Sequence, residues 1–297
     1  MSNTTQQVIG FIGLGVMGEP ICRNLAAKSG AAVIAYDLDA APLQRLAAHG
    51  VQAAASAADV MRAAGTVFLS LPSGEIVAQL CRQKAGLLAS SRAGQTVVDL
   101  STSPVDTTRA LASEFAALGV RFVDAPVART RAAAEAGTLA VMVGADPETF
   151  NAIKPLFATF ASDIALCGPV GCGQVLKILN NMVLFETVVA VSEAKAIGEK
   201  AGVDPTVLFN TLSTGSADSF ALRNHGMKAV LPDEFPERAF SVRYAHKDLK
   251  YALQLAREAG VDARGAAVVD GWFQQAIDSG LGEKYHPVIS RIIAGRH

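Results

Sequence analysis

Short apolar runs alternate with segments of helical spacing along the first half of the chain. Such runs occur at residues 8–12, 32–36, 66–71, 96–100, 121–127 and 138–143. Each is almost continuously apolar, which is typical of strands buried on both faces of a parallel sheet. After the last run, Asp146 and Pro147 predict the start of a helix. Strands alternating with helices over about 165 residues predict a doubly wound α/β sheet.

The pattern changes after residue 166. Residues 174–200 hold no proline and one glycine, Gly198, so a single helix over residues 173–200, about 40 Å long, is predicted. Its apolar residues cover most of the circumference, which predicts burial between domains or between subunits. All later segments have helical spacing. We predict an α/β domain over residues 1–166, then the long connecting helix and an all-α domain over residues 167–297.

A glycine-rich turn joins the first predicted strand to the first predicted helix. It consists of Gly13, Leu14, Gly15, Val16, Met17 and Gly18. Glycines in such a turn allow a tight bend and the close approach of a pyrophosphate, which the helix N-terminus attracts. A purely structural turn is the alternative, but Asp37 follows about 20 residues later, where a carboxylate can hold the adenosine ribose. The pattern predicts a Rossmann-type dinucleotide site.

The segment around Asp37 bears on the choice of cofactor. Asp37-Leu38-Asp39 would repel the 2′-phosphate of NADP, and the segment offers no arginine to receive that phosphate. We therefore expect NAD to be favoured over NADP.

Polar and small residues follow two of the predicted strands. Ligands of open α/β sheets gather at the carboxyl ends of the strands, so Leu71 and Pro72 are expected to line the cofactor cleft. Ser101 and Thr102 follow the next strand, where their hydroxyls could reach the nicotinamide or the substrate. The alternative role for these two hydroxyls is to cap the helix that begins at Val105.

Lys177 and Asn181 lie one turn apart on one face near the start of the long helix. The lysine could donate a proton to an alkoxide as a hydride arrives, and we expect the helix start and burial to lower its pKa. Asn181 could orient the same oxygen. A solvated helix face is the alternative for both residues. Lys247 could close over the cofactor or substrate, or form a surface ion pair with Asp248.

Composition excludes several classes of partner. The 297 residues carry 26 Lys plus Arg against 27 Asp plus Glu, which argues against nucleic acid or an anionic membrane. The four cysteines show no zinc-site or disulfide spacing, so buried thiols and no metal are expected. Residues 1–7 lack a basic start, and polar residues within 175–191 make that stretch too polar for a membrane span. We expect a cytoplasmic protein.

Ordered motifs along the whole chain resemble one family. They are Gly10 to Gly18 with Pro20, Asp124-Ala125-Pro126-Val127, Gly137-Thr138-Leu139, Gly171 to Asn181, and Lys247-Asp248-Leu249. Their order is similar to that in the β-hydroxyacid dehydrogenases, which include 3-hydroxyisobutyrate dehydrogenase and tartronate semialdehyde reductase. The resemblance implies NAD(P)-dependent interconversion of a small 3-hydroxy acid and its semialdehyde. It also implies Lys177 as catalytic acid/base, Asn181 in substrate binding, Lys247 at the bound ligands, and a homodimer or homotetramer.

One segment departs from that family. Most members carry Ser-Gly-Gly after Asp-Ala-Pro-Val, and these residues hold the substrate carboxylate, whereas this chain has Ala128, Arg129 and Thr130. A guanidinium there could bind a carboxylate or a larger oxyanion. The segment resembles the loop of sulfolactaldehyde reductases, with Ala128 in place of their glycine and Arg131 in place of their serine. The alternative is that Arg129 points to solvent.

Two further functions compete with this interpretation. An imine reductase would share the architecture, but members of that group usually lack the catalytic lysine. A redox-inactive nucleotide-binding regulator would have no need of Lys177 and Asn181 in the cleft. The substrate is expected to be a small anionic hydroxy acid or semialdehyde.

Overall fold

A computed structural model describes residues 7–237 and 239–296 of the chain. The expectation about targeting concerns residues 1–7, of which residues 1–6 lie outside the described residues. The chain divides into two compact units, Met1–Lys177 and Ile178–His297. The predicted boundary after residue 166 falls within the last strand of the first unit. The predicted division into functional domains at residue 166 therefore stays a prediction.

The first unit is built on a twisted sheet that is parallel over most of its width. Within the described residues its strands are β1 (Val8–Ile12), β2 (Ala32–Tyr36), β3 (Gln52–Ala53), β4 (Thr66–Leu69), β5 (Thr96–Asp99), β6 (Arg121–Asp124), β7 (Val127–Ala128), β8 (Leu139–Gly144) and β9 (Ala161–Gly168). Their order is β3-β2-β1-β4-β5-β6-β8-β7, and β9 pairs with β8. In this order every pair of neighbours from β3 to β6 is parallel, whereas β6 and β8 are antiparallel. The order reverses between β1 and β4, the place where such sheets bind ligands.

Helices connect these strands, and most begin at a side-chain cap. They are α1 (Gly18–Lys28), α2 (Ala40–Ala47), α3 (Ala57–Ala63), α4 (Gly74–Arg82), α5 (Leu87–Ser90), α6 (Val105–Ala116), α7 (Arg131–Ala136) and α8 (Pro147–Phe157). The predicted start at Asp146 is confirmed, because its carboxylate accepts a hydrogen bond from the Thr149 N–H and Pro147 is the first helical residue. Buried phenylalanines, including Phe11, Phe68 and Phe157, pack the sheet against its helices.

Strand β9 is absent from the sequence prediction. Ser162, Asp163, Ala165 and Leu166 are exposed, so the segment lacks the continuous apolar character of the other strands. It is a strand because it pairs along β8, a contact that local sequence does not encode. Some predicted strands are also too long: the run at 66–71 ends at Leu69, and the run at 121–127 divides into β6 and β7.

The second unit is built from helices in the part that the structure describes, with two isolated β-bridges, Glu237 with Lys284 and Ser241 with Tyr285. Its elements are the greater part of α9 (Cys172–Lys200), α10 (Pro205–Thr214), a π-helix (Leu222–Val230), α11 (Val242–Glu258), α12 (Arg264–Asp278), a 3₁₀ turn (His286–Val288) and α13 (Ile289–Ile293). The prediction of one long helix near 173–200 is confirmed. Its core gathers Phe185, Leu249, Phe273 and Ile289. This unit matches the expected all-α domain.

Helix α9 is less buried than its composition suggests. Leu176, Leu179, Val183 and Ile197 are exposed in the single chain, so burial within one chain does not cover this helix, and burial between subunits stays a prediction. Among the described helices, α9 alone has the length and mean hydropathy, 1.5, that could cross a membrane. The expectation that this stretch is too polar to span a membrane is therefore wrong by length and composition. The buried side chains of Gln174 and Lys195 form hydrogen bonds within the chain, as in the core helix of a folded unit.

The cysteines are all thiols, but they differ in burial. Cys22 and Cys81 are buried as expected, whereas Cys167 and Cys172 are only half-buried, which corrects the prediction for that pair. Burial raises the pKa of Cys22 to about 12, so this thiol is inert at neutral pH. In the described ranges no three His, Cys, Asp or Glu side chains cluster in a way that could hold a metal ion.

Candidate active site

The glycine turn lies at the carboxyl end of β1, beside the reversal of strand order. Gly13 has a φ of +94°, and a Cβ there would lie 2.2 Å from the Ser70 carbonyl oxygen. A Cβ on Gly18 would lie 2.0 Å from the Gly13 carbonyl oxygen, so packing demands glycine at both positions. A Cβ on Gly15 would meet no atom within 4 Å. The open space at Gly15 is a cradle that fits the close approach of a dinucleotide pyrophosphate.

Asp37 is held against this turn. One carboxylate oxygen accepts a hydrogen bond from the Leu14 N–H at 2.5 Å, and the other accepts one from the Asp39 N–H at 2.8 Å. Remaining lone pairs could accept from ribose hydroxyls. Arg45, near Asp39, is engaged by Glu19, whose oxygens lie 2.7 and 2.8 Å from its Nε and Nη2. The guanidinium closest in sequence to Asp37 is therefore already paired.

Ser101 joins the carboxyl ends of β4 and β5. Its Oγ accepts a hydrogen bond from the Leu71 N–H at 2.9 Å. Helix α6 begins after Pro104 without a side-chain cap, so the capping alternative for Ser101 and Thr102 is wrong. Both residues are buried, while Leu71 is half-buried and Pro72 is exposed. Ser101 thus holds the backbone at Leu71, just beyond the carboxyl end of β4, and the lining of a cofactor cleft by Leu71 and Pro72 stays a prediction.

A buried polar network at the start of α9 escaped the sequence interpretation. Asp124, at the end of β6, accepts hydrogen bonds from the N–H groups of Gly171 and Gln174 at 2.7 and 2.8 Å. The Gln174 side chain accepts from the Ser103 N–H at 3.0 Å and donates to the Ser101 carbonyl oxygen at 2.8 Å. Sequence reasoning used Asp124 only as part of a motif, and nothing local signals the role of Gln174. Lys177 follows one turn later and is half-buried.

Asn181 and Lys247 share one carboxylate, that of Asp248. The Asn181 amide donates to Asp248 Oδ2 at 2.8 Å, and the Lys247 ammonium lies 2.9 Å from Asp248 Oδ1. The ammonium also lies 4.4 and 5.0 Å from the ring centres of Tyr244 and Tyr251. The predicted ion pair between Lys247 and Asp248 is confirmed, but the Asp248 side chain is 1% exposed, so the pair is not the surface pair of that alternative. Asp248 orients both predicted site residues, and the sequence interpretation missed it.

Arg129 occupies a backbone conformation that glycine normally takes. Its φ is +88°, which costs a side-chain-bearing residue about 1 kcal/mol or more. Its Nη1 donates to the Thr138 carbonyl oxygen at 2.7 Å and to Ser162 Oγ at 2.8 Å, and its Nη2 lies 2.7 Å from Asp163 Oδ2. The guanidinium is therefore anchored on β9. Its neighbours also have backbone duties, because Ala128 pairs with β8 and Thr130 caps α7.

Two family models cover nearly the whole chain. The NAD binding domain of 6-phosphogluconate dehydrogenase matches residues 8–168. The model described as NAD-binding of NADP-dependent 3-hydroxyisobutyrate dehydrogenase matches residues 171–293. Both models describe nicotinamide dinucleotide enzymes, which agrees with the glycine turn and with the cradle at Gly15.

Characterised relatives agree with these models. The 2-(hydroxymethyl)glutarate dehydrogenase of Eubacterium barkeri is 34% identical, over 93% of this chain and 91% of its own. The 2-hydroxy-3-oxopropionate reductase of Escherichia coli is 32% identical, over 95% of each chain. The structure of 3-hydroxyisobutyrate dehydrogenase from Mycobacterium tuberculosis, solved with L-serine, is 28% identical, with a TM-score of 0.88 over 97% of this chain and 99% of that one. The chain therefore belongs to the β-hydroxyacid dehydrogenase family and is an NAD(P)-dependent 3-hydroxyacid dehydrogenase.

Proposed function

We propose that the chain interconverts a short anionic 3-hydroxy acid and its semialdehyde, with Lys177 as the acid/base and NAD as the preferred cofactor. The observation that carries this proposal is the fixed amide of Asn181, one turn after Lys177 on α9. The nicotinamide, when bound, supplies or accepts the hydride. Lys177 donates a proton to the carbonyl oxygen during reduction and removes it from the hydroxyl during oxidation.

Asn181 orients the reacting oxygen. Its Nδ2 carries two hydrogens, of which Asp248 receives one, so a second remains to donate to the substrate. The Asn180 amide donates to Asn181 Oδ1 at 3.2 Å, which further fixes the side chain. We assign Lys247 to contact the bound ligand with its ammonium. Thr102 completes the substrate contacts that we propose. Gly13 to Gly18, Asp37, Leu71, Pro72 and Ser101 are the proposed cofactor residues.

Replacing Asp37 with alanine is expected to reduce the preference for NAD over NADP about tenfold or more. The variant loses the carboxylate that would accept from the ribose hydroxyls and repel a 2′-phosphate. The measurement is kcat/KM with each cofactor. Glu148→Ala is the control, because it removes an exposed carboxylate from α8 of the same unit, a helix that carries no proposed cofactor residue. A wild-type enzyme that already prefers NADPH would refute the assignment of Asp37.

The structure around Arg129 bears on the acidic group of the substrate. The guanidinium is held by Asp163, Ser162 and the Thr138 carbonyl, which supports a carboxylate substrate bound by other groups of this loop. A sulfonate substrate, such as sulfolactaldehyde, is the second candidate. It is supported by the Val-x-Arg-Thr resemblance and by the Arg129 guanidinium, whose side chain is 38% exposed and which has five N–H donors for the three hydrogen bonds described above.

NADH oxidation with matched carboxylate and sulfonate semialdehydes separates these two candidates. For a carboxylate enzyme we expect Arg129→Gly to keep the carboxylate preference, because glycine adopts the positive φ without strain. For a sulfonate enzyme the sulfonate kcat/KM should fall about tenfold or more in the variant. Asp163→Asn, which weakens the anchor but keeps the arginine, is the matched control. Absence of turnover with every semialdehyde would refute the proposed function.

We also propose a homodimer or homotetramer in the cytoplasm, acting on a small molecule rather than on nucleic acid or a membrane. The exposed apolar residues of α9 support self-association, because Leu176, Leu179, Val183 and Ile197 recur along the helix at intervals typical of an interface. Near balance of charge supports the absence of a polyanionic partner. The presence of Lys177 disfavours an imine reductase, and a redox-inactive regulator would have no use for it.

A further inference from the structure

The first turn of α9 is fixed by buried side chains from the end of the sheet. Asp124 binds two of the N–H groups that a helix leaves unpaired at its start, those of Gly171 and Gln174. The space around this carboxylate is full: a Cβ on Gly144 or Gly173 would lie 2.2 or 2.9 Å from its oxygens. Asp124 therefore has one position, and the helix start has one position relative to it.

Gln174 fixes the same turn from the side. Its side chain is fully buried and spans the Ser103 N–H and the Ser101 carbonyl oxygen, both just beyond β5. Asp99, at the end of β5, accepts from the Ser101 N–H and from Ser103 Oγ at 2.9 Å each, so this anchor is itself held. The helix start is thus tied to the carboxyl ends of two neighbouring strands.

We propose that Asp124 and Gln174 are positioning residues, which set the place and the electrostatic surroundings of Lys177 by holding the first turn of α9. Lys177 follows Gln174 by three residues, about 4.5 Å along the helix axis. A displacement of the turn would therefore move the lysine by a similar amount. Errors of about 1 Å at a reacting group cost large factors in rate. This inference rests on the proposed role of Lys177.

The charge of Asp124 matters as well as its hydrogen bonds. Burial raises the pKa of Asp124 to about 6, against the lowering effect of the two N–H groups, and Asp99 raises it further. At neutral pH the carboxylate is thus ionised, and its negative charge interacts favourably with the positive end of the helix dipole. Two other ionisable groups lie beside this turn. One is Cys167, whose pKa is raised mainly by burial and also by the charge of Asp124. The other is Arg109, whose Nε would lie 2.8 Å from a Cβ on Gly171.

The test compares two variants that remove different parts of this anchor. Asp124→Asn removes the charge and one of the two acceptors, whereas Gln174→Met keeps the charge and the helix but loses the bonds to the β5 end. We expect each to lower kcat about tenfold or more while the Kd for NADH stays within about twofold. Asp146→Asn is the control, because Asp146 caps α8 by the same kind of bond and α8 carries no site residue.

The pH profile separates positioning from a loss of stability. In hydroxy acid oxidation we expect a rising limb in the plot of kcat/KM against pH, because the proposed base must be unprotonated to accept a proton. Asp124→Asn should move that rising limb to lower pH, because the negative charge bound at the start of α9 is gone. Gln174→Met keeps this charge and should leave the rising limb in place, so its kcat is expressed per NADH-binding site. A kcat that is lower per binding site then shows a misplaced lysine rather than a loss of folded protein. A protein that is only less stable would lose amplitude without moving the limb.

Every result decides the proposal. Wild-type kcat in Gln174→Met, or an unmoved limb in a folded Asp124→Asn protein, overturns it, and Gln174→Met decides alone if Asp124→Asn does not fold. Should the wild type be inactive on all substrates, NMR titration of isotope-labelled methyl groups on the Lys177 amine replaces kinetics. A titration midpoint that shifts in Asp124→Asn then supports positioning although the proposed function has failed. A midpoint that does not shift overturns the positioning proposal as well.

Discussion

Replacing Lys177 with alanine lowers kcat by about 10² to 10⁴-fold, the usual contribution of a general acid or base. The hydride can still move, but the alkoxide that forms has no proton donor at hand. Binding of NADH should change less than about threefold, since the proposed cofactor residues lie in the glycine turn and at the ends of β1, β2, β4 and β5. Steady-state kinetics with the best semialdehyde, combined with titration of NADH binding by fluorescence, gives both quantities.

The matched control is Lys200→Ala, at the exposed far end of the same helix. It removes an equal charge and side chain from α9, so full activity there shows that the loss in Lys177→Ala is local. Turnover of the Lys177 variant within a few-fold of the wild type would remove this lysine from the mechanism. Loss of NADH binding would instead place it among the cofactor ligands.

Acidification from pH 6.5 to about 4 destabilises the second unit by several kcal/mol. His286 is fully buried among Phe185, Phe240 and Phe273, and neither ring nitrogen has a hydrogen-bond partner among the described residues. Burial holds its pKa well below the usual 6.5 and lowers the pKa of His225 to about 4. The unfolded chain therefore binds more protons than the folded one, so stability is complete above pH 6.5 and falls as the pH drops. His225 alone contributes about 3 kcal/mol to this loss.

Trp272 makes the measurement specific, because it is the one tryptophan of the chain and lies in the second unit. Urea unfolding followed by its fluorescence at several pH values gives the free energy of unfolding of that unit. His286→Phe should raise this free energy by about 1 to 3 kcal/mol at neutral pH and flatten its pH dependence, since an unpaired buried polar ring is replaced by an apolar one. His49→Phe, at an exposed site, is the control. A pH slope unchanged in His286→Phe would contradict the explanation.

Asp124 acts in the opposite direction, but in the first unit. Its pKa is raised to about 6 in the folded protein, so the folded state binds its proton first and gains stability as the pH falls below that value. We therefore expect a probe of the first unit to report less acid sensitivity than Trp272. The two units differ in their response to pH because they bury groups of opposite charge type.

Local signals account for what the sequence could predict. The bounds of β1 and β2 follow from continuous apolar runs that end at a glycine turn and at Asp37. Helix α9 follows from the long absence of proline, and the start of α8 from the adjacent cap and proline. Each of these features depends on residues within a few positions of one another, where propensity and capping act directly.

Long-range contacts account for what it could not. Asp124 meets Gly171 across 47 residues, and Asn181 meets Asp248 across 67. No spacing rule relates such partners, because the folded sheet and helices bring them together. The family motifs indicated that Lys177 and Asn181 matter, but they did not reveal the carboxylates that hold them. Strand β9 was missed for the same reason, since pairing with β8 defines it.

The backbone at Arg129 has a consequence for how the substrate loop can change. Every arginine codon becomes a glycine codon by a single base substitution, so the glycine of the common family loop is one mutational step away. That step relieves the strain of a positive φ and gives up the ion pair with Asp163. Because both effects are small and opposed, the loop can exchange its side chain without a loss of fold. Position 129 is therefore an accessible point at which selection, natural or in the laboratory, could retune the choice of anion.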